Sequence, residues 1–177
     1  MGNNTSLSET GGGAANSFGP NFKFWGSIPS SPNGGNFIAS EADWGTIKAS
    51  LSQTVSGLQV GTEYNVTFDW AAGQQVGYDG ATTTRWDVTF AGQTQSTDFA
   101  SVPNHGFSGW STTTFKFIAG STSEVLSFIA YSPNGGLPPF ALLDGVSVTP
   151  VPEPSAYAAV AGGLLVLVGV ARRRAAK

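Results

Sequence analysis

From Tyr64 the chain alternates in chemistry: Tyr64, Val66, Phe68 and Trp70 are apolar, and Asn65, Thr67 and Asp69 between them are polar. The same period of two returns at Trp86, Val88 and Phe90, interleaved with Arg85, Asp87 and Thr89. Residues 111–117 are rich in β-branched and aromatic types. Leu126 and Phe128, then Leu142 and Leu143, then Val146 and Val148 continue the series. Side chains of a strand point alternately to its two faces, so this pattern predicts half-buried strands. The runs are short and punctuated by Gly, Pro and Asn, and no long 3.6-residue period precedes position 156. The expected body is all-β, a two-sheet antiparallel β-sandwich in which each sheet buries one face against the other. Trp70 and Trp86 fall in phase with the apolar faces and are expected in the core.

The punctuation has its own chemistry. Gly57 and Gly61 bracket a break between two strands, and Gly61 is free to take a positive φ. Asp79-Gly80 is a tight-turn pair. Ser31-Pro32-Asn33-Gly34-Gly35 recurs at 132–136. The flanks of the two copies match at no fixed period, so the repeat reads as turn chemistry that frames a rim of the sandwich.

The last part of the chain follows a different rule. Residues 156–171 read AYAAVAGGLLVLVGVA, with no charge and no strongly polar group. As a helix this stretch spans about 24 Å, near the hydrocarbon thickness of a bilayer once flanking arginines snorkel. Arg172, Arg173 and Arg174 follow at once and orient such a helix with its C-terminal end in the cytoplasm. Before it, Pro152 and Pro154 flank Glu153, and the prolines enforce an extended backbone. The organisation expected is a flexible segment at 1–17, the sandwich at 18–149, a Pro-rich linker at 150–155, a transmembrane helix at 156–171 and a basic cytoplasmic tail at 172–177.

Pro152-Glu153-Pro154, a short apolar helix and a terminal Arg cluster together resemble the PEP-CTERM sorting signal of Gram-negative bacteria. The resemblance implies an exosortase-type processing enzyme as partner, with Pro152, Glu153 and Pro154 as recognition residues and Arg172, Arg173 and Arg174 as the orientation anchor. It also implies transient residence in the inner membrane with the body outside, then delivery to the cell surface or an exopolysaccharide matrix. Residues 1–24 contain no basic n-region and no apolar h-region. The expectation is therefore that a longer exported protein, with a signal peptide, extends upstream of Met1.

The body carries a second resemblance. Residues 52–58 and 61–68, with the late run 140–148, are similar to the strand–turn–strand and final strand of bacterial galactose-binding-like jelly rolls. That resemblance implies a jelly roll and a capacity for carbohydrate binding.

Composition and charge narrow the function. The chain has 177 residues, no Cys and one His, which excludes disulfides, thiolate metal sites and multi-histidine metal clusters. Eleven acidic residues face eight basic ones, and four of the basic residues lie in the last six positions, so the body is acidic. That balance speaks against nucleic acid as a partner. For catalysis, Asp69, Asp79, Asp87, Asp98 and Glu124 offer carboxylates, but their spacing singles out no glycosidase pair. His105 lies in a Pro103-Asn104-His105-Gly106 loop with no nucleophile elbow nearby, and reads as an exposed loop histidine. A non-enzymatic protein is expected.

Sugar recognition asks for an exposed aromatic face with polar groups at its edge. Trp44, beside Asp43 and Glu41, and Tyr78, beside Asp79, are the candidate sugar-binding residues; Trp110, at the opening of a strand, fits either packing or recognition. No cofactor is expected, apart from a structural Ca²⁺ for which Asp144, with Glu41 and Asp43, is the candidate set. A turn or capping role for Asp144 is the simpler reading. The expected function is an exported surface or extracellular-matrix protein whose body binds exopolysaccharide. The alternatives are a purely structural or adhesive coat protein and, third, a surface glycoside hydrolase.

Overall fold

The computed structural model describes residues 23–25, 28–42, 50–133 and 139–152. Among them run β1 (Ile38–Glu41), β2 (Ser50–Ser56), β3 (Glu63–Gln74), β4 (Thr82–Phe90), β5 (Gln93–Ser96), β6 (Ala100–Val102), β7 (Ser111–Ile118), β8 (Ser123–Tyr131) and β9 (Pro139–Pro150). All pairings are antiparallel. One sheet has the order β1-β9-β3-β7; the other has β2-β8-β4-β5, with β6 alongside the start of β4. Successive long strands lie in opposite sheets, the interleaving of a jelly roll. The two-sheet antiparallel sandwich expected from the alternation is thus present. Residues 156–171, where a helix was expected, lie outside the described residues, and among the described residues no helix is long and apolar enough to cross a membrane.

The core between the sheets is built from the alternating positions. Val66, Phe68 and Trp70 of β3 share it with Trp86, Val88 and Phe90 of β4, Phe117 of β7, and Leu126 and Phe128 of β8. Aromatic rings meet edge to face: Phe68 and Phe128 lie 5.1 Å apart, and Trp86 and Phe128 5.9 Å. Trp86 is fully buried, and its indole N–H donates across the sandwich to the Leu142 carbonyl at 3.1 Å.

The alternation of β9 changes phase partway. Ala141 and Leu143 face this core, and beyond Gly145 it is Val148 that packs against it. The register explains the change: Thr67 pairs with Ser147 but Asp69 pairs with Asp144, so β9 holds one extra residue there. Gly145 sits in that bulge at φ +59°, a conformation open to glycine.

A second, smaller core covers the outer face of the four-stranded sheet. Phe24, Ile28 and Phe37, which precede β1, pack on Ala71 of β3 and Phe140 and Leu142 of β9, with Phe107 and Trp110 alongside. The C-terminal half of β3 is therefore buried on both faces, from Phe68 to Gln74 without a break. Ala71, Ala72 and Gly73 in this stretch are small, and at Gly73 an added Cβ would lie 3.1 Å from the Phe24 ring.

The two ends of the sandwich differ. Gln74 pairs with Pro139 and Glu41 with Phe140, so β3 and β1 finish where β9 begins. The last pair of β9, Pro150 with Tyr64, lies at the opposite end, where the Val151 N–H donates to the Glu63 carbonyl.

Candidate functional site

The end of β3 supplies the floor of a rim made by two loops, 75–81 and 103–110. Gln74 is fully buried. Its side-chain amide donates to the Gly80 carbonyl at 2.9 Å, and its side-chain oxygen accepts the His105 backbone N–H at 2.6 Å. One buried amide thus pins both loops, and both of its functional ends are satisfied, as burial requires. A second tie joins the loops directly: the Gly80 N–H donates to Asn104 Oδ1 at 2.6 Å.

Trp25 closes the arrangement. Its backbone N–H donates to the Gln74 carbonyl, and its indole N–H donates to the Tyr78 carbonyl at 3.0 Å. Its ring stacks on the His105 imidazole with centroids 3.8 Å apart. His105 Nε2 donates to Asp79 Oδ1 at 2.5 Å. His105 holds φ +58°, which costs about 1 kcal/mol for a residue with a Cβ. Strain of this kind persists where the surroundings over-determine a residue, and here a hydrogen bond, a ring stack and a carboxylate hold it.

Tyr78 stands on this frame and is 39 % exposed. Next to it the Asp79 side chain is 81 % exposed. An exposed aromatic ring next to an exposed carboxylate can hold the apolar face of a sugar ring while the carboxylate accepts from its hydroxyls.

The sequence picked out Tyr78 in this site and read His105 as an exposed loop histidine; it is exposed in a loop, and it is also engaged on three sides. Trp25, Gln74 and Asn104 were missed. Only the pairing of loops 75–81 and 103–110 gives them a role, and no local motif announces it. Trp44 lies outside the described residues. Trp110 resolves to packing: its indole N–H donates to the Pro29 carbonyl at 2.9 Å, and its ring meets Phe37 edge to face. Trp70 and Trp86 are core residues, as expected.

Among the described residues, Glu41 and Asp144 of the candidate calcium set are not brought together. Glu41 pairs with Phe140, four residues before Asp144 on β9. Four residues of strand separate the two by about 13 Å, too far to share one ion. Asp43 lies outside the described residues. Asp144 instead faces Asp69 across β3–β9, a carboxylate pair that sequence spacing did not single out. Asp144 accepts from the Ser31 hydroxyl and from the Gly145 N–H; Asp69 accepts from the Asn33 amide at 2.6 Å and the Thr112 hydroxyl at 2.5 Å. Each of the four carboxylate oxygens accepts one internal hydrogen bond. The Ser31–Asn33 turn acts here as a lid over the pair. Of the sorting residues, Pro152 is described and exposed; Glu153, Pro154, Arg172, Arg173 and Arg174 lie outside the described residues.

No protein-family model matches the chain, and no curated protein matches it. Similar solved structures include the EclA C-terminal domain, described as a sugar-binding protein. It is 17 % identical, with a TM-score of 0.46 over 65 % of this chain and 79 % of that one. TmCBM61, solved in complex with β-1,4-galactotriose, is 18 % identical, with a TM-score of 0.40 over 85 % of this chain and 97 % of that one. A family 35 carbohydrate-binding module from an environmental isolate is 17 % identical, with a TM-score of 0.35 over 68 % and 81 %.

Proposed function

We propose that this chain is an exported, non-enzymatic surface protein whose sandwich binds a neutral carbohydrate at the Tyr78 rim. Its C-terminal segment addresses it, through an exosortase-type enzyme and a transient stay in the inner membrane, to the cell surface or matrix. The observation that carries the binding half is the rim itself. Tyr78 is exposed beside the exposed Asp79 carboxylate, on a frame fixed by Gln74, Trp25 and His105. Fixed aromatic platforms bind with little loss of conformational freedom. The acidic body repels polyanions, so the ligand class is a neutral glycan.

The direction of the chain fits the sorting half. The rim lies at the Gln74 end, whereas β9 leaves the sandwich at the Tyr64 end, toward Pro152-Glu153-Pro154. Ten residues of β3 put about 33 Å between those ends. A body tethered through its C-terminal segment therefore presents the rim on the side away from the tether.

The binding test uses the full chain in mild detergent against galactan, xylan, mannan and β-glucan. Saturable binding to one of them, lost in Tyr78→Ala at unchanged unfolding midpoint, is the expected result. Failure to bind any leaves a purely structural or adhesive coat role. The sorting test replaces Pro152, Glu153 and Pro154 by Ala in cells that carry the processing enzyme. Retention of the tail is expected, and unchanged processing overturns this half.

A further inference from the structure

The loop 103–110 has a second flank. On the side away from Asn104 and His105, Ser108 and Gly109 line a half-open cleft of about 350 Å³ between the edges of the two sheets. Its other walls include Trp70 and Ser111 from the four-stranded sheet, and Asp98, Phe99 and Ser101 from the segment that leads into and through β6. The volume falls in the range of small-ligand sites.

The cleft exists because the side of the sandwich is closed along only part of its length. Where β5 faces β7, the Gln93 and Gln95 side chains donate to the Ile118 and Lys116 carbonyls at 3.1 and 2.6 Å and stitch the two edges together. No such bond reaches Ser111 or Thr112 among the described residues, and the gap opens there.

Its lining combines an apolar surface with uncommitted polar groups. Phe99 is 42 % exposed. The Arg85 guanidinium lies over its ring at 4.9 Å and also lies 4.8 Å from the Tyr131 ring, while Asp87 holds Arg85 at 2.8 Å. An exposed aromatic held by a cation over one face is a positioned platform. The hydroxyls of Ser101 and Ser111 and the carboxylate of Asp98 have no hydrogen-bond partner among the described residues. By contrast, Thr113 already accepts from the Trp70 indole at 2.9 Å, and Ser108 is bonded to Ala72 and Gly109.

From this juxtaposition we propose that the Phe99 cleft is a second saccharide subsite, so that the ligand is a glycan chain lying across the 103–110 loop from Tyr78 to Phe99. The inference rests on the reading of the Tyr78 rim as a sugar site and sharpens its ligand from a single ring to a chain. The spacing supports a chain: Ala71 lines the cleft and Gln74 floors the rim, three residues or about 10 Å apart along β3. One ring cannot touch both, and a short oligosaccharide can. Arg85 acts as a positioning residue for Phe99 and makes no contact of its own with the sugar.

The test titrates the full chain with galacto-, xylo-, manno- and gluco-oligosaccharides of increasing length, from one ring to six. Affinity for one series is expected to rise about tenfold with length, the worth of one further aromatic contact. Phe99→Ala should remove that rise and leave single-ring binding intact, with Asp98→Asn giving a smaller loss of the same kind. Both positions are exposed, and an unchanged unfolding midpoint certifies the fold. Affinity independent of length, or a rise with length that survives Phe99→Ala, overturns the second subsite while binding lost in Tyr78→Ala upholds the rim. Equal loss of one-ring and six-ring binding in Phe99→Ala overturns it too, since it makes the cleft the single site. No binding in any series overturns both readings.

Discussion

On the inner face of the four-stranded sheet, Val66, Phe68 and Trp70 meet the large apolar side chains of the opposite sheet. On the outer face of the same strands, Asp69 sits under Asn33 and beside Thr112 of the neighbouring strand, and Ala71 lies under Phe24 and Ile28. The inner face is closed by a second sheet whose geometry the twist of both sheets dictates. The outer face is closed by residues 23–25 and 28–37, which hold by a few aromatic contacts and hydrogen bonds. The difference matters for function, because the outer cover and the Tyr78 rim are continuous: Phe24 packs on the end of β3, and its neighbour Trp25 stacks on His105.

Two core truncations break this comparison most severely. Phe68→Ala removes a fully buried ring from the inter-sheet core and should lower the unfolding free energy by about 3–5 kcal/mol. Phe24→Ala removes an equally buried ring from the outer cover. It should cost about 3 kcal/mol, near the low end for such truncations. The two should also differ in kind. Chemical denaturation with amide exchange should show Phe68→Ala loosening both sheets, and Phe24→Ala exposing residues 71–76 and the 103–110 loop first. Equal loss of protection in both sheets for Phe24→Ala would mean that the outer cover is part of the main cooperative unit.

The polar lid is the next test. Gly145→Ala forces a Cβ residue into φ +59°, and the added methyl runs into the Asn33 amide. A destabilisation of about 2 kcal/mol is expected, roughly half from backbone conformation and the rest from displacing Asn33. Asn33→Ala isolates that second part. It leaves the buried Asp69 with Thr112 as its remaining side-chain donor, at a cost of about 1–2 kcal/mol. Similar losses for Gly145→Ala and for the double variant would show that the two substitutions act on the same contact.

The same contrast marks what the sequence could convey. Period two reports which side of a strand is apolar, and where one sheet covers another that is enough: Val66, Phe68, Trp70, Trp86, Val88 and Phe90 were legible. It does not report an irregular segment folding back over the other side. At Trp70-Ala71-Ala72-Gly73-Gln74 the alternation stops because both faces are buried, and the small residues make room for that cover. The phase change of β9 at Gly145 is legible in retrospect as a one-residue shift between Leu143 and Val148. The site divides in the same way. Tyr78 was legible as an aromatic in a turn, since its exposure follows from local composition. Gln74, Trp25 and His105 acquire roles only when three distant stretches meet at one end of β3. The Asp69–Asp144 pair is likewise a product of register, invisible in linear spacing.

Gly73→Ala gives the smallest effect and the sharpest test. Gly73 lies in a strand without a positive φ, so alanine suits the backbone and restricts the unfolded chain, a gain of about 0.4–1 kcal/mol. Against that, its Cβ would lie 3.1 Å from Phe24 Cδ1 and 3.4 Å from Ile28 Cδ1. Phe24 is 2 % exposed and locked edge to face on Phe140 at 5.6 Å, so it has little room to yield. Overpacking of this kind costs about 1–3 kcal/mol, and the net expectation is a loss of about 1 kcal/mol. Paired with Phe24→Leu, which makes space at that spot, the loss should vanish or reverse, because only the backbone gain remains. The double-mutant cycle then measures the contact alone. An additive result would mean that the penalty arises elsewhere than at Phe24, and that the outer cover is looser over β3 than the edge-to-face packing implies.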